Sequence, residues 1–153
     1  MTFSGEIGPI ETSLRIERVT DEAGLADHVR VVAEGFGNWE PETLGAIFTS
    51  RLLDQPDWFA WVGYDDGKPV ATSQLVVHSG VGGLYYIATM EPARRKGYGE
   101  ALTLIAIREG FDRGCDMACL QASSLGKPVY ERIGFTVLGE YVTYIPKEQG
   151  AGN

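Results

Sequence analysis

The spacing of hydrophobic and polar residues changes several times along the chain, and each change predicts a new element. Apolar residues at every second position are typical of a strand, and apolar residues three or four apart are typical of a helix. In the first half, alternation predicts a strand at 14–19, the aromatic-rich run at 58–64 indicates a second strand, and the chain returns from a turn as a third strand at 69–78. Helices are predicted from Thr20 or Asp21 to Gly35 or Gly37 and from Pro41 to about Leu53. The Asp-Gly pair between the last two strands supplies the positive φ that a tight hairpin turn needs.

The second half of the chain alternates strands with helices. The pattern predicts a glycine-rich turn at 79–83, strands at 84–89 and 117–122, helices at 97–114 and 128–133, and a final strand or hairpin at 135–145. The helix at 97–114 is apolar on most sides, so we expect it to be largely buried. The order of elements includes a strand-helix-strand crossover, and it favours an α/β fold with a mixed sheet and helices on both faces.

Length and composition fit one folded domain. The chain has 153 residues, of which 44% are hydrophobic and 22% charged, and this is too apolar for a disordered protein. No internal repeat divides it, so we expect a single domain over residues 1–153, with an irregular lead-in at 1–12. The net charge of −8 argues against nucleic acid as a partner, because phosphate binding depends on clustered Lys and Arg.

The sequence also bears on location. No apolar run approaches the ~18 residues of a membrane span, and the first residues lack the basic and apolar regions of a signal peptide. The two cysteines are too few for a domain built on disulfides, and no His or Cys lies near enough to complete a metal site. We therefore expect a cytoplasmic protein without a membrane or metal partner.

The most informative segment is the basic stretch Arg94–Glu100, which follows a predicted strand and opens a predicted helix. Gly97 and Gly99, spaced by one residue, let the backbone turn tightly and approach a ligand closely. Free N–H groups at a helix start attract anions, and three consecutive cations add positive charge, so a pyrophosphate would fit. A basic turn whose glycines serve only its geometry explains the same residues. The third glycine of a dinucleotide fingerprint is absent, since that position is Leu102.

A second segment combines the predicted strand end at 120–124 with the short helix that carries Tyr130. On these residues alone, Tyr130 is explained as a half-buried aromatic residue whose hydroxyl is satisfied.

Together the two segments resemble the GNAT superfamily of acetyl-CoA-dependent N-acetyltransferases. The resemblance rests on an R-x-x-G-x-G motif between a strand and a helix and on a downstream Y-x-x-x-G-F motif, here Arg94, Gly97, Gly99 and then Tyr130, Gly134, Phe135. The predicted element order agrees from about residue 14 to residue 145. The resemblance implies a central mixed, mostly antiparallel sheet with helices on both faces.

The resemblance also implies how acetyl-CoA would bind. Its pyrophosphate would accept hydrogen bonds from the backbone amides of Arg94, Arg95, Lys96, Gly97, Tyr98, Gly99 and Glu100. The strand at Ile87, Ala88 and Thr89 would pair with the pantetheine arm, in a wedge between this strand and the strand at 117–122. A backbone N–H of the strand at 87–89 would polarise the thioester oxygen. Ser123 stands where many members carry Asn, and its hydroxyl can still hydrogen-bond the cofactor arm.

Tyr130 would be the general acid that protonates the leaving thiolate after direct attack by an amine. A phenol suits this role because its pKa, ~10, is close enough to that of a thiol. The sequence does not identify the general base that takes the proton of the amine. The carboxylates near the site, Glu34, Glu40 and Glu91, are better explained as solvated surface groups, and the two histidines, His28 and His78, as structural or exposed residues. Cys115 and Cys119 suggest a covalent route, but no nearby His would activate them.

The acceptor pocket should be formed by the loop at 36–42 and the strand at 84–87, whose aromatic residues are Phe36, Trp39, Tyr85 and Tyr86. Neighbouring strand residues face opposite ways, so we expect two of the four to be plain core residues. An aromatic pocket can bind a cationic amine through cation–π contacts. We expect an amine of a small molecule or peptide as acceptor, and an exposed final strand could pair across a homodimer. The alternatives are a non-catalytic acyl-CoA-binding module of the same fold and an interaction domain.

Overall fold

A mixed sheet runs through the computed structural model, which describes residues 1–37, 39, 41–142 and 144. The strands, in chain order, are β1 (Thr2–Phe3), β2 (Arg15–Arg18), β3 (Trp58–Asp65), β4 (Lys68–His78), β5 (Val81–Thr89) and β6 (Met117–Leu120). The α-helices are α1 (Glu22–Phe36), α2 (Pro41–Ile47), α3 (Tyr98–Asp112) and α4 (Lys127–Ile133), with short 3-10 turns at Ser50–Leu52 and Glu91–Ala93. None of the described helices is long and apolar enough to cross a membrane.

The order of strands across the sheet is β1-β6-β5-β4-β3-β2. Only β5 and β6 are parallel, and the other neighbouring pairs are antiparallel. Helix α3 connects the parallel pair. The predicted crossover and the mixed, mostly antiparallel sheet are therefore confirmed.

Helices cover both faces of the sheet, as predicted. On one face, α3 packs Leu102 and Ile107 into a core with Phe59 and Leu75. On the other face, α1 and α2 pack against alternate residues of β3, and this second core is formed by Val19, Leu25, Val32, Leu44, Phe48, Trp58, Ala60 and Val62. Residues 58–62 of β3 are all apolar because successive residues serve the two cores in turn.

Helix α1 has the ends that its sequence predicts. The Asp21 side chain accepts a hydrogen bond from the Gly24 N–H at 2.8 Å, and so caps the helix. Gly37 ends it in the left-handed conformation, with φ 69°. The Gly37 cap fixes where the chain leaves α1. Phe36 and Trp39, on either side of this cap, belong to the site described below.

The first residues are not wholly irregular, so the prediction of an unstructured lead-in at 1–12 was wrong at its start. Thr2 and Phe3 pair antiparallel with β6, and Phe3 is buried with its ring 5.4 Å from that of Phe135. The physical reason is that β6 would otherwise present a free edge. A strand of two residues is too short to show a period in the sequence.

The predicted final strand at 135–145 does not form in the described residues. Thr136 makes a single bridge to Thr2, and residues 137–142 and 144 belong to no strand. The edge of β6 that could have paired with this segment is occupied by β1. Thr143 and Ile145 lie outside the described residues. The expectation of a homodimer loses the strand on which it was based and stays a prediction.

Two further boundaries differ from the sequence prediction. Helix α2 ends at Ile47 instead of Leu53, because Thr49 takes an extended conformation (φ −92°, ψ 159°) before the 3-10 turn. Strand β5 begins at Val81, so the predicted turn at 79–83 is shorter. Gly82 is part of this strand. It allows the strand to pack closely against Leu75, because a Cβ at this position would lie only 3.1 Å from the Leu75 side chain.

Candidate active site

The two parallel strands separate halfway along β5. Their pairing runs from Val81 opposite Met117 to Leu84 opposite Leu120, where β6 ends. Strand β5 continues to Thr89 and stays paired with β4 on its other side. In the described part of the chain, residues 85–89 have no strand on their β6 side. This fork has the form of the predicted wedge, and it leaves backbone groups for an extended ligand.

A β-bulge lies within the open part of β5. The β4–β5 register shifts between Thr72 and Gln74, and Tyr86 takes a positive φ of 48°. A bulge inserts one extra residue and interrupts the alternation of faces. Tyr85 and Tyr86 therefore line the same cavity, and the prediction that they face opposite ways was wrong.

A cavity of about 260 Å³ lies at the fork. It is lined by the predicted site residues Phe36, Trp39, Tyr85, Tyr86, Ile87, Ser123 and Tyr130. Leu84, the first residue of the strand range predicted to form the acceptor pocket, also lines it, as do Leu120 and Gln121, which sequence reasoning missed. The fold thus brings the predicted acceptor aromatics to the predicted catalytic tyrosine. The position of Gln121 in the sequence could have indicated its place in the site, because a polar residue directly after a buried parallel strand lies at the edge where α/β sheets bind ligands.

The four aromatic residues differ in how they are packed. Phe36, Trp39 and Tyr85 are 46%, 38% and 48% exposed, so each presents much of its ring to the solvent side of the cavity. Tyr86 packs edge-on against Phe48 at 4.9 Å and joins the core under α2. We expected two core residues among the four, and only Tyr86 is one.

Tyr130 is buried in α4, with 9% of its surface exposed. Its ring packs edge-on against Phe135 at 5.8 Å. Gly126 makes room for the ring, since a Cβ there would lie 3.0 Å from Tyr130 Cε2. Burial raises the pKa of Tyr130 to about 12, because the charged phenolate is poorly solvated there. The residue is therefore a neutral phenol, and it holds a proton at neutral pH.

Ser123 fixes the turn that leads into α4. Its hydroxyl accepts a hydrogen bond from the Gly126 N–H at 3.2 Å, and its carbonyl accepts one from the Lys127 N–H at 2.9 Å. The side chain also lines the cavity. Its hydroxyl keeps a proton to donate, which is the capacity that the prediction assigned to it.

Backbone amides converge at the start of α3. The first helical hydrogen bond runs from Ala101 N–H to Gly97 O, and within the described residues the N–H groups of residues 95–100 donate to no protein acceptor. Arg95 and Gly97 have positive φ values of 63° and 79°, which turn the chain twice within three residues. Gly99 allows a close approach, since a Cβ there would lie 3.4 Å from Thr89 Oγ1. Such a cluster of free amides suits an anion.

The side chain of Arg94 does not point to this anion site. Its Nε donates to Thr89 O at 3.0 Å, and its terminal nitrogen donates to Gly35 O at 2.8 Å. It thereby joins the end of β5 to the end of α1. The same two elements also touch at Ala88, whose Cβ would lie 2.8 Å from a Cβ on Gly35. The Ala88 side chain is therefore directed at α1, and Ala88 is not among the residues that line the cavity.

Two other side chains of the segment bind Asp65 at the end of β3. Lys96 forms an ion pair with it at 3.1 Å, and the buried Tyr98 donates its hydroxyl hydrogen at 3.0 Å. These hydrogen bonds, that from Lys96 first, lower the pKa of the Asp65 carboxyl. Arg95 is exposed, and no carboxylate of the described residues lies within ion-pair distance of it. Of the predicted cations, Arg95 is thus the one available to a ligand.

An ion pair connects the two predicted motifs. The Glu100 carboxylate in the first turn of α3 lies 3.1 Å from the Arg132 guanidinium in α4. It ties the helix with the free amides to the helix that carries Tyr130. Sequence reasoning missed Arg132, and nothing in its spacing indicated the pair.

None of the described candidates for a general base lines the cavity. Glu34 pairs with Arg30 along α1 at 2.9 Å, and Glu91 is exposed in a 3-10 turn. Glu40 lies outside the described residues. His78 is exposed at the end of β4.

His28 is fully buried and is a structural residue. Its Nδ1 lies 2.6 Å from Thr72 Oγ1, which itself donates to Trp61 O at 2.7 Å. Because the threonine hydrogen is used on the carbonyl, the histidine must carry its hydrogen on Nδ1. Desolvation lowers the pKa of His28 to about 4, despite an opposing contribution from Gln74. It is therefore a neutral imidazole.

Neither cysteine contributes to the cavity. Cys115 is buried, and this burial raises the pKa of its thiol. Neither cysteine forms a disulfide, and Cys119 lies in β6 opposite Thr2 of β1. A covalent acyl-cysteine route therefore has no support in this geometry. Among the described residues, no three His, Cys, Asp or Glu side chains come together as a metal site.

A smaller cavity of about 180 Å³ lies beside β2 and α1. Its lining includes Asp21, Asp27 and Tyr64, and the Tyr64 hydroxyl already donates to Asp27 at 2.8 Å. It contains none of the predicted site residues. The fork is therefore the candidate active site.

Comparison with known proteins identifies relatives of this architecture. The model of the acetyltransferase (GNAT) family matches residues 26–135. No curated protein sequence matches the chain. A GCN5-related N-acetyltransferase from Ralstonia eutropha JMP134 is 25% identical, with a TM-score of 0.66 over 87% of this chain and 99% of its own.

Two other solved structures share the fold at lower identity. The aminoglycoside N-acetyltransferase AAC(6')-Iy in complex with CoA is 15% identical, with a TM-score of 0.73 over 92% of this chain and 99% of its own. A predicted acetyltransferase from Clostridium acetobutylicum with acetyl-CoA is 18% identical, with a TM-score of 0.72 over 86% of this chain and 96% of its own.

Proposed function

The chain belongs to the GNAT family of acetyltransferases, and from this membership we propose that it moves the acetyl group of acetyl-CoA to an amine of a small molecule or peptide. One observation carries the proposal. The cavity at the β5–β6 fork is lined both by the buried, neutral Tyr130 and by a cluster of aromatic residues, so an acid and a pocket for an acceptor meet there. The amine would attack directly, since no cysteine lines the cavity.

The residues at the fork fit the two polar parts of acetyl-CoA. The amides of residues 95–100 lack protein acceptors in the described part of the chain, and they suit a pyrophosphate. The open edge of β5 at 85–89 suits the amide groups of the pantetheine arm, and Ser123 can donate to the same arm. Arg95 adds a free positive charge. Acetyl-CoA supplies the thioester whose acetyl group is transferred.

Tyr130 is the residue that we assign to the proton transfer. Burial keeps it protonated, with a pKa of about 12, so a hydrogen is available for the leaving sulfur. The same burial would raise the pKa of a thiol beside it, because desolvation disfavours both anions. A backbone N–H of β5 at 87–89 would polarise the thioester oxygen. This set of roles requires no charged side chain in the cavity.

Calorimetric titration with CoA and with acetyl-CoA tests the cofactor site. A matched pair of variants is available at the two ends of α3. Gly97 and Gly114 both have positive φ, at 79° and 84°, and a Cβ at either meets nothing within 4 Å. Gly97→Ala and Gly114→Ala should each cost about 1–2 kcal/mol of stability. Only Gly97→Ala should weaken CoA binding, because only that Cβ lies among the free amides.

The outcomes separate the proposal from its alternatives. Absence of CoA binding by the unmodified protein would overturn it and leave an interaction domain. Binding without any acetyl-CoA-dependent release of thiol, over a panel of amines, would leave a non-catalytic acyl-CoA-binding module.

A further inference from the structure

The described lining of the cavity carries no charged side chain. Its polar members are three tyrosines, one glutamine and one serine, in the set Tyr85, Tyr86, Tyr130, Gln121 and Ser123. The chain as a whole has 21 acidic residues and a net charge of −8, so this neutrality is not a matter of composition. An ammonium ion that entered this cavity would give up water and find no counterion among the described lining residues.

Two acidic side chains of the helices around the cavity are engaged elsewhere. Glu34, in the same helix as Phe36, pairs with Arg30 at 2.9 Å. Glu100 pairs with Arg132 at 3.1 Å, at the start of α3. Neither carboxylate lines the cavity. The attraction of ring faces for a cation is smaller than the cost of stripping water from an unpaired ammonium.

The proton balance of the reaction leads to the same conclusion. An alkylammonium must lose a proton before its nitrogen can attack, and this needs a base within reach. No carboxylate or imidazole is among the described lining residues, and Tyr130 must stay protonated to serve the leaving sulfur. An aromatic amine is already uncharged at neutral pH, because its lone pair is delocalised into the ring.

The size and surface of the cavity suit one ring. Its volume is about 260 Å³, whereas a cavity of roughly 150 Å³ is sufficient for benzene. The remaining space must hold the acetyl group and the end of the pantetheine arm, since Ile87, Ser123 and Tyr130 line the same cavity. Phe36, Trp39 and Tyr85 are all more than a third exposed at this one place, and flat aromatic faces favour a planar partner.

We infer that the acceptor is an uncharged aromatic amine on a single ring, an inference that rests on the proposed function. Its nitrogen lone pair forms a bond to the acetyl carbon while the carbon–sulfur bond breaks, with the electron pair left on sulfur. Tyr130 gives its proton to the sulfur. The nitrogen then loses its surplus proton to water, and a proton from water restores the phenol.

Three amines of similar size provide the test: aniline, benzylamine and cyclohexylamine. Aniline is aromatic and uncharged at neutral pH, benzylamine is aromatic but cationic, and cyclohexylamine is cationic without an aromatic ring. We expect kcat/KM at neutral pH to be at least tenfold higher for aniline than for either cation. The rate with aniline should be flat across neutral pH, and the rates with the two cations should rise with pH as their free amines form.

Variants locate the preference within the cavity. Trp39→Ala and Tyr85→Ala should each raise KM for aniline severalfold and leave the Kd for CoA unchanged. Glu40→Gln tests the acidic residue of the same loop that lies outside the described residues, and the preference for aniline should persist in it. A preference for cyclohexylamine or benzylamine at neutral pH would overturn the inference, and its loss in Glu40→Gln would identify Glu40 as the counterion.

A binding measurement keeps this inference separate from the proposed function. Saturation-transfer NMR on the CoA complex compares aniline and cyclohexylamine without turnover. Binding of aniline alone, with no acetyl transfer to any amine, would support the pocket assignment and reject the acetyltransferase activity. Stronger binding of cyclohexylamine would reject the pocket assignment whatever the activity.

Discussion

The ring of Tyr85 lies across Gly83, the residue two positions before it in β5. A Cβ on Gly83 would be 2.8 Å from Tyr85 Cε2 and 3.0 Å from the Tyr85 hydroxyl oxygen, which is closer than real side chains approach. Gly83 is buried between β4 and β6, whereas Tyr85 is 48% exposed. Any side chain at position 83 would therefore displace the ring and not the sheet. Gly83 thus positions a ring of the proposed acceptor pocket.

Gly83→Ala should raise KM for the acceptor severalfold, because the displaced Tyr85 ring reshapes the cavity. The Kd for CoA should not change, and the stability cost should be about 1 kcal/mol, at the low end for overpacking. Steady-state kinetics and calorimetry measure the two effects. Gly45→Ala is the control, since a Cβ there meets nothing within 4 Å. Equal KM values in both variants would contradict the positioning role.

Tyr130→Phe should lower kcat by about 10²–10⁴, the usual contribution of a general acid, with an unchanged Kd for CoA. The melting temperature should also be unchanged, because no described residue hydrogen-bonds the hydroxyl and the ring packing is kept. Tyr144→Phe, at a residue that is 91% exposed, is the matched control and should keep full activity. A Tyr130→Phe enzyme with normal kcat would remove Tyr130 from the proton transfer.

Arg94 and Arg95 should respond differently to the same change. Arg94→Gln loses the bonds to Thr89 O and Gly35 O, and should cost about 1 kcal/mol of unfolding free energy. Arg95→Gln should leave stability unchanged and weaken CoA binding most at low ionic strength, because its charge is solvent-exposed. Urea unfolding and calorimetry at two salt concentrations separate the effects. Identical behaviour of the two variants would be inconsistent with these assignments.

Because His28 is buried, the free energy of unfolding should decrease in mild acid. The unfolded chain binds a proton at this residue below pH ~6.5, whereas the folded protein binds it only below a pKa of about 4. As the pH falls through this window the unfolded state holds more protons, so the free energy of unfolding should fall by up to about 3 kcal/mol. Urea unfolding between pH 7 and pH 4 measures it. His28→Leu should flatten the dependence, and His78→Gln, at the exposed histidine, should retain it.

The arrangement of helices and long strands could be predicted from the sequence because each is marked by a run of residues with one period or, in β3, by an aromatic-rich apolar run. The cap at Asp21, the hairpin at Asp66 and the crossover through α3 depend on local signals and were placed correctly. The pairing of Thr2 and Phe3 with β6 could not be predicted, because it depends on an edge more than a hundred residues away in sequence. The exposed segment after Thr136 has the alternation of a strand but finds no partner in the described residues.

Within the candidate site, residue identity was easier to predict than side-chain direction. All four aromatics line one cavity, but the bulge at Tyr86 follows from the β4–β5 register and has no signature in the dipeptide itself. Arg94 belongs to the motif, yet its guanidinium binds Gly35 O, a partner 59 residues earlier in sequence. Long-range contacts of this kind decide what a side chain does after the motif has decided where its backbone lies.

The fork between β5 and β6 divides β5 into two parts whose amide hydrogens should exchange with solvent at different rates. Amides at 81–84 lie between two paired strands, and their hydrogens should exchange only through large openings of the protein. Those on the open side of 85–89 should exchange much faster. A ligand that pairs with this edge would slow them, and at a hundredfold excess over its Kd it would also add about 2.7 kcal/mol to the unfolding free energy. The co-substrate would then complete the sheet, and its depletion would leave the protein easier to unfold and to degrade.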